Sequence, residues 1–144
     1  MSISNKAAYH EFFIEQKYTA GMVLTGTEVK SLRAGKASFN DAYCFFEKGE
    51  LYIKSLHISE YKLGTIYNHL PTQERKLLLT KKELKKLDTK IKEKGYTIVP
   101  LKIFFSENGF AKLEIGLGKG KKLHDKRETI KDRDNQREMQ RYVR

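Results

Sequence analysis

Two neighbouring stretches late in the chain hold residue types that could do chemistry: "GLGKGKK" at residues 116–122 and "HDKR" at 124–127. A glycine run followed by lysines can cradle phosphate. A nucleotide-binding loop, however, needs G-x-x-x-x-G-K and then Ser or Thr for magnesium, and here Leu123 follows the lysines. The glycines read instead as a flexible joint. His124 beside Asp125 could move a proton in phosphodiester cleavage, but an adjacent pair inside a charged run is the mark of a solvated stretch. His10, His57, His69 and His124 fall at no metal-ligand spacing. The single cysteine, Cys44, sits in the apolar run "AYCFF", as a core thiol would. No catalytic residue, metal or cofactor is expected, and one cysteine excludes a disulfide framework.

Charge points to a partner instead. The 144 residues carry 29 Lys and Arg against 18 Asp and Glu, a formal charge of +11, which rewards contact with a polyanion through long-range attraction and counterion release. A membrane surface would call for a basic amphipathic helix with a broad apolar face or a lipid anchor, and "MSISNK" and "RYVR" offer neither. No apolar run approaches the roughly 20 residues of a spanning helix, and no signal-peptide core opens the chain. A cytoplasmic nucleic-acid binder that meets no membrane is the expectation.

The elements that would position such a surface are short. "EFFIEQKYTAGMVLTG" reads as two strands, and "TEVKSLRAG" as a helix capped by Thr27 and stopped at Gly35. "AYCFF" and "LYIKSLHI" form a hairpin about Gly49, and "YKLGTIYNHLPTQERK" an extended loop. Thr80 and Glu83 make a capping box for a helix whose Leu84, Leu87 and Ile91 recur on one face and whose Gly95 ends it. Its other faces are crowded with lysines, which suits water and phosphate equally. Asn108-Gly109 joins "YTIVPLKIFF" to "FAKLEIGLG", with Ala111, Leu113 and Ile115 on one side and Lys112 and Glu114 on the other. Short antiparallel strands with two or three helices predict a mainly β fold, a small closed barrel over residues 1–118.

Residues 119–144 form a basic tail with ten cationic residues against five acids and too few apolar side chains for a core-facing stripe. Free, such a segment cannot offset its ordering entropy by burial. It is rich in helix formers, and a helix would align Arg133, Arg137 and Arg141, so it is expected to fold against a polyanion.

The ordered series "NKAAYHEFFIE", "GTEVKSLRAGK", "DAYCFFEKGELYI", "HISEY", "NHLP", "RKLLLTKKEL", "GYTIVPLKIFF" and "AKLEIGLGKGKKLHDKR" resembles the SsrA-binding protein (SmpB) family over nearly the whole chain. The resemblance implies an oligonucleotide-binding-type barrel without enzymatic activity. It would hold the tRNA-like part of transfer-messenger RNA and, with elongation factor Tu, bring it to a stalled ribosome for trans-translation. By the same resemblance Asn5, Lys6, Phe12, Glu28, Lys30, Arg33 and Leu79 form the RNA surface, with Glu28 and Leu79 shaping it rather than touching RNA. Gly120, Lys121, Lys122, His124, Asp125, Lys126 and Arg127 match the family's ribosome-facing motif, which enters the decoding centre and empty mRNA channel of the small subunit as a helix. A monomer is implied. Thr19 and Gln73 depart from the Glu and Arg usual in the family. The alternative reading is a general RNA-binding or ribosome-assembly protein whose tail is only an electrostatic anchor.

Overall fold

Alternation along the last hairpin sets the frame. In the computed structural model, which describes residues 2–63 and 68–121, β8 (Tyr96–Phe105) and β9 (Ala111–Gly120) pair antiparallel about the Asn108-Gly109 turn, where Gly109 takes the left-handed φ of 87° that such a turn needs. Leu113, Ile115 and Leu117 enter the core from β9, and Lys112 and Glu114 stand on the opposite face, as the alternation requires. Around this hairpin lie β1 (Ser2–Ser4), α1 (Lys6–Glu11), β2 (Phe12–Met22), α2 (Gly26–Arg33), β3 (Ala37–Ser38), β4 (Tyr43–Glu47), β5 (Glu50–Lys54), β6 (His57–Ile58), β7 (Arg75–Leu78) and α3 (Lys81–Ile91).

Seven strands form one antiparallel sheet in the order β1-β8-β9-β2-β7-β5-β4, and β3 pairs with β6 beside it. Among the described residues the fold is therefore mainly β with three helices, in line with the two or three expected. The expected closed barrel is not made by these ladders. β1 and β4 remain at the two ends of the order, and β4 lies against β8 without a ladder between them. A cleft of about 810 Å³ opens near this seam, lined by Asn5, Ala8, Cys44, Ser55, Val99 and Pro100 among others.

Other expectations are corrected in detail. The two short strands are one, β2, which a bulge between Ile14 and Gln16 bends while its pairing to β9 continues. Thr25, not Thr27, caps α2: its side chain takes the Glu28 N–H and Glu28 returns the bond to the Thr25 N–H. The extended loop is shorter than read, because its last residues enter β7 and pair with β2 and β5. The Thr80–Glu83 capping box of α3 stands as expected, with Leu87 buried and Leu84 and Ile91 packed on the core. The glycines read as a joint lie inside the sheet: Gly116, Gly118 and Gly120 all pair with β2. A Cβ at Gly116 would sit 2.7 Å from Ile14 Cγ2 and 2.9 Å from Leu101 Cδ1, and one at Gly118 3.0 Å from the Phe13 carbonyl, so these two admit close approach, whereas a Cβ at Gly120 would meet open space. That approach lets α1 cover a second small core of Ala8, Val99 and Leu101 with Phe12 and Ile14.

Candidate nucleic-acid interface

The α2 surface is built from the inside outward. Glu28 points into the fold at 1% exposure, where its Oε2 accepts from Arg75 Nε at 2.5 Å and from Gln73 Nε2 at 2.9 Å. Arg75, equally buried, also donates to the carbonyls of Leu56 at 2.7 Å and Pro71 at 2.9 Å. His69 Nε2 faces the Ile58 carbonyl at 2.8 Å and must donate to it, which leaves Nδ1 to accept from the Thr27 hydroxyl at 2.8 Å. This network pins α2 to the segment before β7 and satisfies every charge that it buries.

On the outer side of the same helix Lys30 and Arg33 are exposed. The Lys30 ammonium lies 5.9 Å from the centre of the Tyr61 ring. The Arg33 guanidinium stacks 4.5 Å above Phe105 and donates to the Gly109 carbonyl at 3.2 Å, tying α2 to the β8–β9 turn. A cation held on an aromatic face keeps most donors free, and is suited to phosphate or to stacking on a base.

The remaining expected RNA residues divide between surface and support. Lys6 is exposed on the first turn of α1. Asn5 is half-buried, with Nδ2 donating to the Pro100 carbonyl and its backbone N–H to that of Leu101, each at 2.8 Å, so it fastens the start of α1 to β8. Phe12 packs on the second core and Leu79 on the main one, both half-buried. Glu28 thus supports the surface, as expected. Among the described residues no hydrogen bond or ion pair links Asn5 and Lys6 to Lys30 and Arg33. Asn5 and Arg33 meet β8 at Pro100 and Phe105, positions about 17 Å apart along an extended strand. Thr19 is exposed opposite Glu114, and Gln73 is committed to Glu28.

At the root of the tail Gly120 pairs with Phe12, and Lys121 bonds twice to α1: its N–H to the Glu11 carbonyl at 2.9 Å and its Nζ to the Tyr9 carbonyl at 3.0 Å. Its ammonium also lies 5.1 Å from the Phe13 ring, which is 60% exposed. Lys122, His124, Asp125, Lys126 and Arg127 fall outside the described residues. Beside this root, Tyr96 receives Lys90 and Lys119 on its ring, each at 4.8 Å, and donates its hydroxyl to Glu15 at 2.9 Å, a bond that raises the phenol above its ordinary pKa. Lys17, 5.5 Å from the Tyr9 ring, is likewise raised, first by its hydrogen bond with Tyr9. Sequence reasoning missed Phe13, Tyr96 and Lys119 as partners, although the register Phe13–Lys119–Tyr96 across β2, β9 and β8 follows once the strands are aligned. It singled out Gln73 only as a departure from the family and missed that Gln73, Arg75 and His69 hold α2 from beneath, for which no local signal exists.

These faces define a small antiparallel-sheet protein of the kind that presents cations and rings to a polyanion. No group of three His, Cys, Asp or Glu side chains able to hold a metal occurs among the described residues. The chain belongs to the SmpB protein family, whose model matches residues 2–144. It is 56% identical over 136 residues to the SsrA-binding protein of Geobacter sulfurreducens, covering 94% of this chain and 88% of the relative. It is also 56% identical over 141 residues to that of Cytophaga hutchinsonii, covering 98% and 92%. A solved structure described as "tmRNA-SmpB: a journey to the center of the bacterial ribosome" superposes with a TM-score of 0.72 at 49% identity, over 88% of each chain.

Proposed function

We propose that this chain binds the tRNA-like part of transfer-messenger RNA and delivers it, with elongation factor Tu, to stalled bacterial ribosomes, where the nascent chain is tagged for proteolysis. The observation that carries this reading is family membership over residues 2–144, joined to relatives named SsrA-binding protein along nearly their full length. Lys6, Lys30 and Arg33 grip the RNA backbone, while Asn5, Phe12, Glu28 and Leu79 hold the surface beneath them. The protein acts by binding, as a cytoplasmic monomer, and not as an enzyme. The oligonucleotide-binding-type reading of the sheet is supported by the contact of β4 with β8, which folds the open order back on itself. Of residues 119–144, the part beyond Lys121 serves as the arm that enters the mRNA channel and winds into a helix there. The pairing of Gly120 and Lys121 with β2 and α1 supports a departure point just after them.

Filter binding tests the first half: the protein should prefer transfer-messenger RNA to a generic duplex of equal length, and equal affinity refutes it. Scrambling residues 123–144 at constant composition tests the second. Tagging on stalled ribosomes should be lost while RNA binding persists; retained tagging would instead support a general RNA-binding protein with an electrostatic anchor.

A further inference from the structure

The short helix α1 ends on carbonyls that its own six residues do not satisfy, because the last turn of a helix leaves acceptors without an intrahelical donor. Two of them are taken by one residue from the other end of the sheet. The Lys121 N–H donates to the Glu11 carbonyl at 2.9 Å, and its Nζ reaches back over the start of β2 to the Tyr9 carbonyl at 3.0 Å. The same ammonium lies 5.1 Å from the centre of the Phe13 ring, which gives a role to an aromatic side chain left 60% exposed. Gly120 pairs with Phe12 just before it. Backbone bonds therefore hold both residues at the root of the tail, and the side chain of Lys121 holds the second again. Lys119, two residues earlier, is exposed, whereas Lys121 is half-buried with its charge turned toward α1 and away from the onward chain.

We propose that Lys121 is a positioning residue and not an RNA contact: latched to Tyr9 and Phe13, it fixes the direction in which the tail leaves the sheet. This departs from the family resemblance, which placed Lys121 among the ribosome-facing residues, and it rests on the reading of the tail given above. Holding the first residue of the arm lowers the ordering entropy lost when the remainder docks, so the latch raises affinity without meeting a phosphate. Counterion release counts only cations that do meet phosphate, so salt dependence separates the two roles. In full-length protein, Lys121→Gln, Phe13→Leu and the double variant are compared with wild type. In the free protein the Lys121 amide should exchange its hydrogen about fivefold faster in both single variants, while the Leu113 amide inside the β2–β9–β8 ladders keeps its rate. On vacant small subunits each single variant should lose about fivefold in affinity at every salt concentration, with the slope of log affinity against log salt unchanged. The double variant should lose no more than either single one, because all three break the same contact. Lys121→Arg, which can reach both the carbonyl and the ring, should keep wild-type affinity. A slope shallower by about 1 in Lys121→Gln makes the ammonium a phosphate contact and overturns the proposal. Additive losses in the double variant overturn it too, as does a Lys121 amide that exchanges at the wild-type rate in both single variants. If the amides respond as expected and wild type does not bind small subunits, it is the reading of the tail that fails.

Discussion

Removing the Glu28 carboxylate should unfold the α2 surface rather than merely alter its chemistry. In Glu28→Ala the Arg75 guanidinium stays buried, keeping its bonds to the Leu56 and Pro71 carbonyls but losing its only counter-charge among the described residues. The Thr25 N–H and Gln73 Nε2 lose their acceptor at the same time. Breaking a buried ion pair from one side costs about 3–5 kcal/mol, and at about 4 °C per kcal/mol for a domain of this size the melting temperature should fall by about 12–20 °C. Glu28→Gln retains an acceptor for Thr25 but no charge, and should fall between the two. Thermal melts followed by circular dichroism give the stability, and filter binding well below each variant's transition gives the affinity. Affinity should recover toward wild type wherever the variant is folded, since Glu28 has no surface with which to touch RNA. A variant that melts within about 2 °C of wild type yet fails to bind would refute this reasoning.

Gly116→Ala should lower stability by about 1–3 kcal/mol, read as a lower urea midpoint at unchanged slope, because the new methyl meets Ile14 and Leu101 at under 3 Å. Arg33→Lys keeps the charge but loses the planar stack on Phe105 and the fork that reaches Gly109; RNA affinity should drop about tenfold with a change in stability under about 1 kcal/mol, and equal affinity would remove Arg33 from the interface. Burial raises the Cys44 thiol, so at pH 8 iodoacetamide should modify it slowly in native protein and quickly in urea. The sign for stability follows: the folded state holds the Cys44 proton longer than the unfolded chain does, so this contribution is complete below about pH 8.5 and is lost as pH rises further.

Much of this architecture was written in local pattern. Asn108-Gly109 between two alternating runs specified the β8–β9 hairpin, and Thr80 with Glu83 specified the start of α3, because turn and cap chemistry depend on residues a few positions apart. The β7 strand was missed because "RKLL" is too short to declare itself, and it is held by partners in β2 and β5. The closed barrel was inferred from strand number, which does not say whether the first and last strands exchange hydrogen bonds. At the site, family resemblance named Glu28, but nothing near it in sequence reveals that Arg75, 47 residues on, neutralises it. The glycines of β9 misled for a related reason: composition alone cannot tell a residue that must move from one that must make room.

The pairing of Ser2 with Phe104 and of Phe12 with Gly120 bears on how the protein is made. β1, and β2 along its long ladder with β9, must wait for partners about a hundred residues downstream, although the end of β2 meets β7 earlier, so the sheet cannot be completed until β9 has cleared the ribosomal exit tunnel. A copy cut short before β9 therefore carries open strand edges on β2 and β8 and an uncovered apolar face.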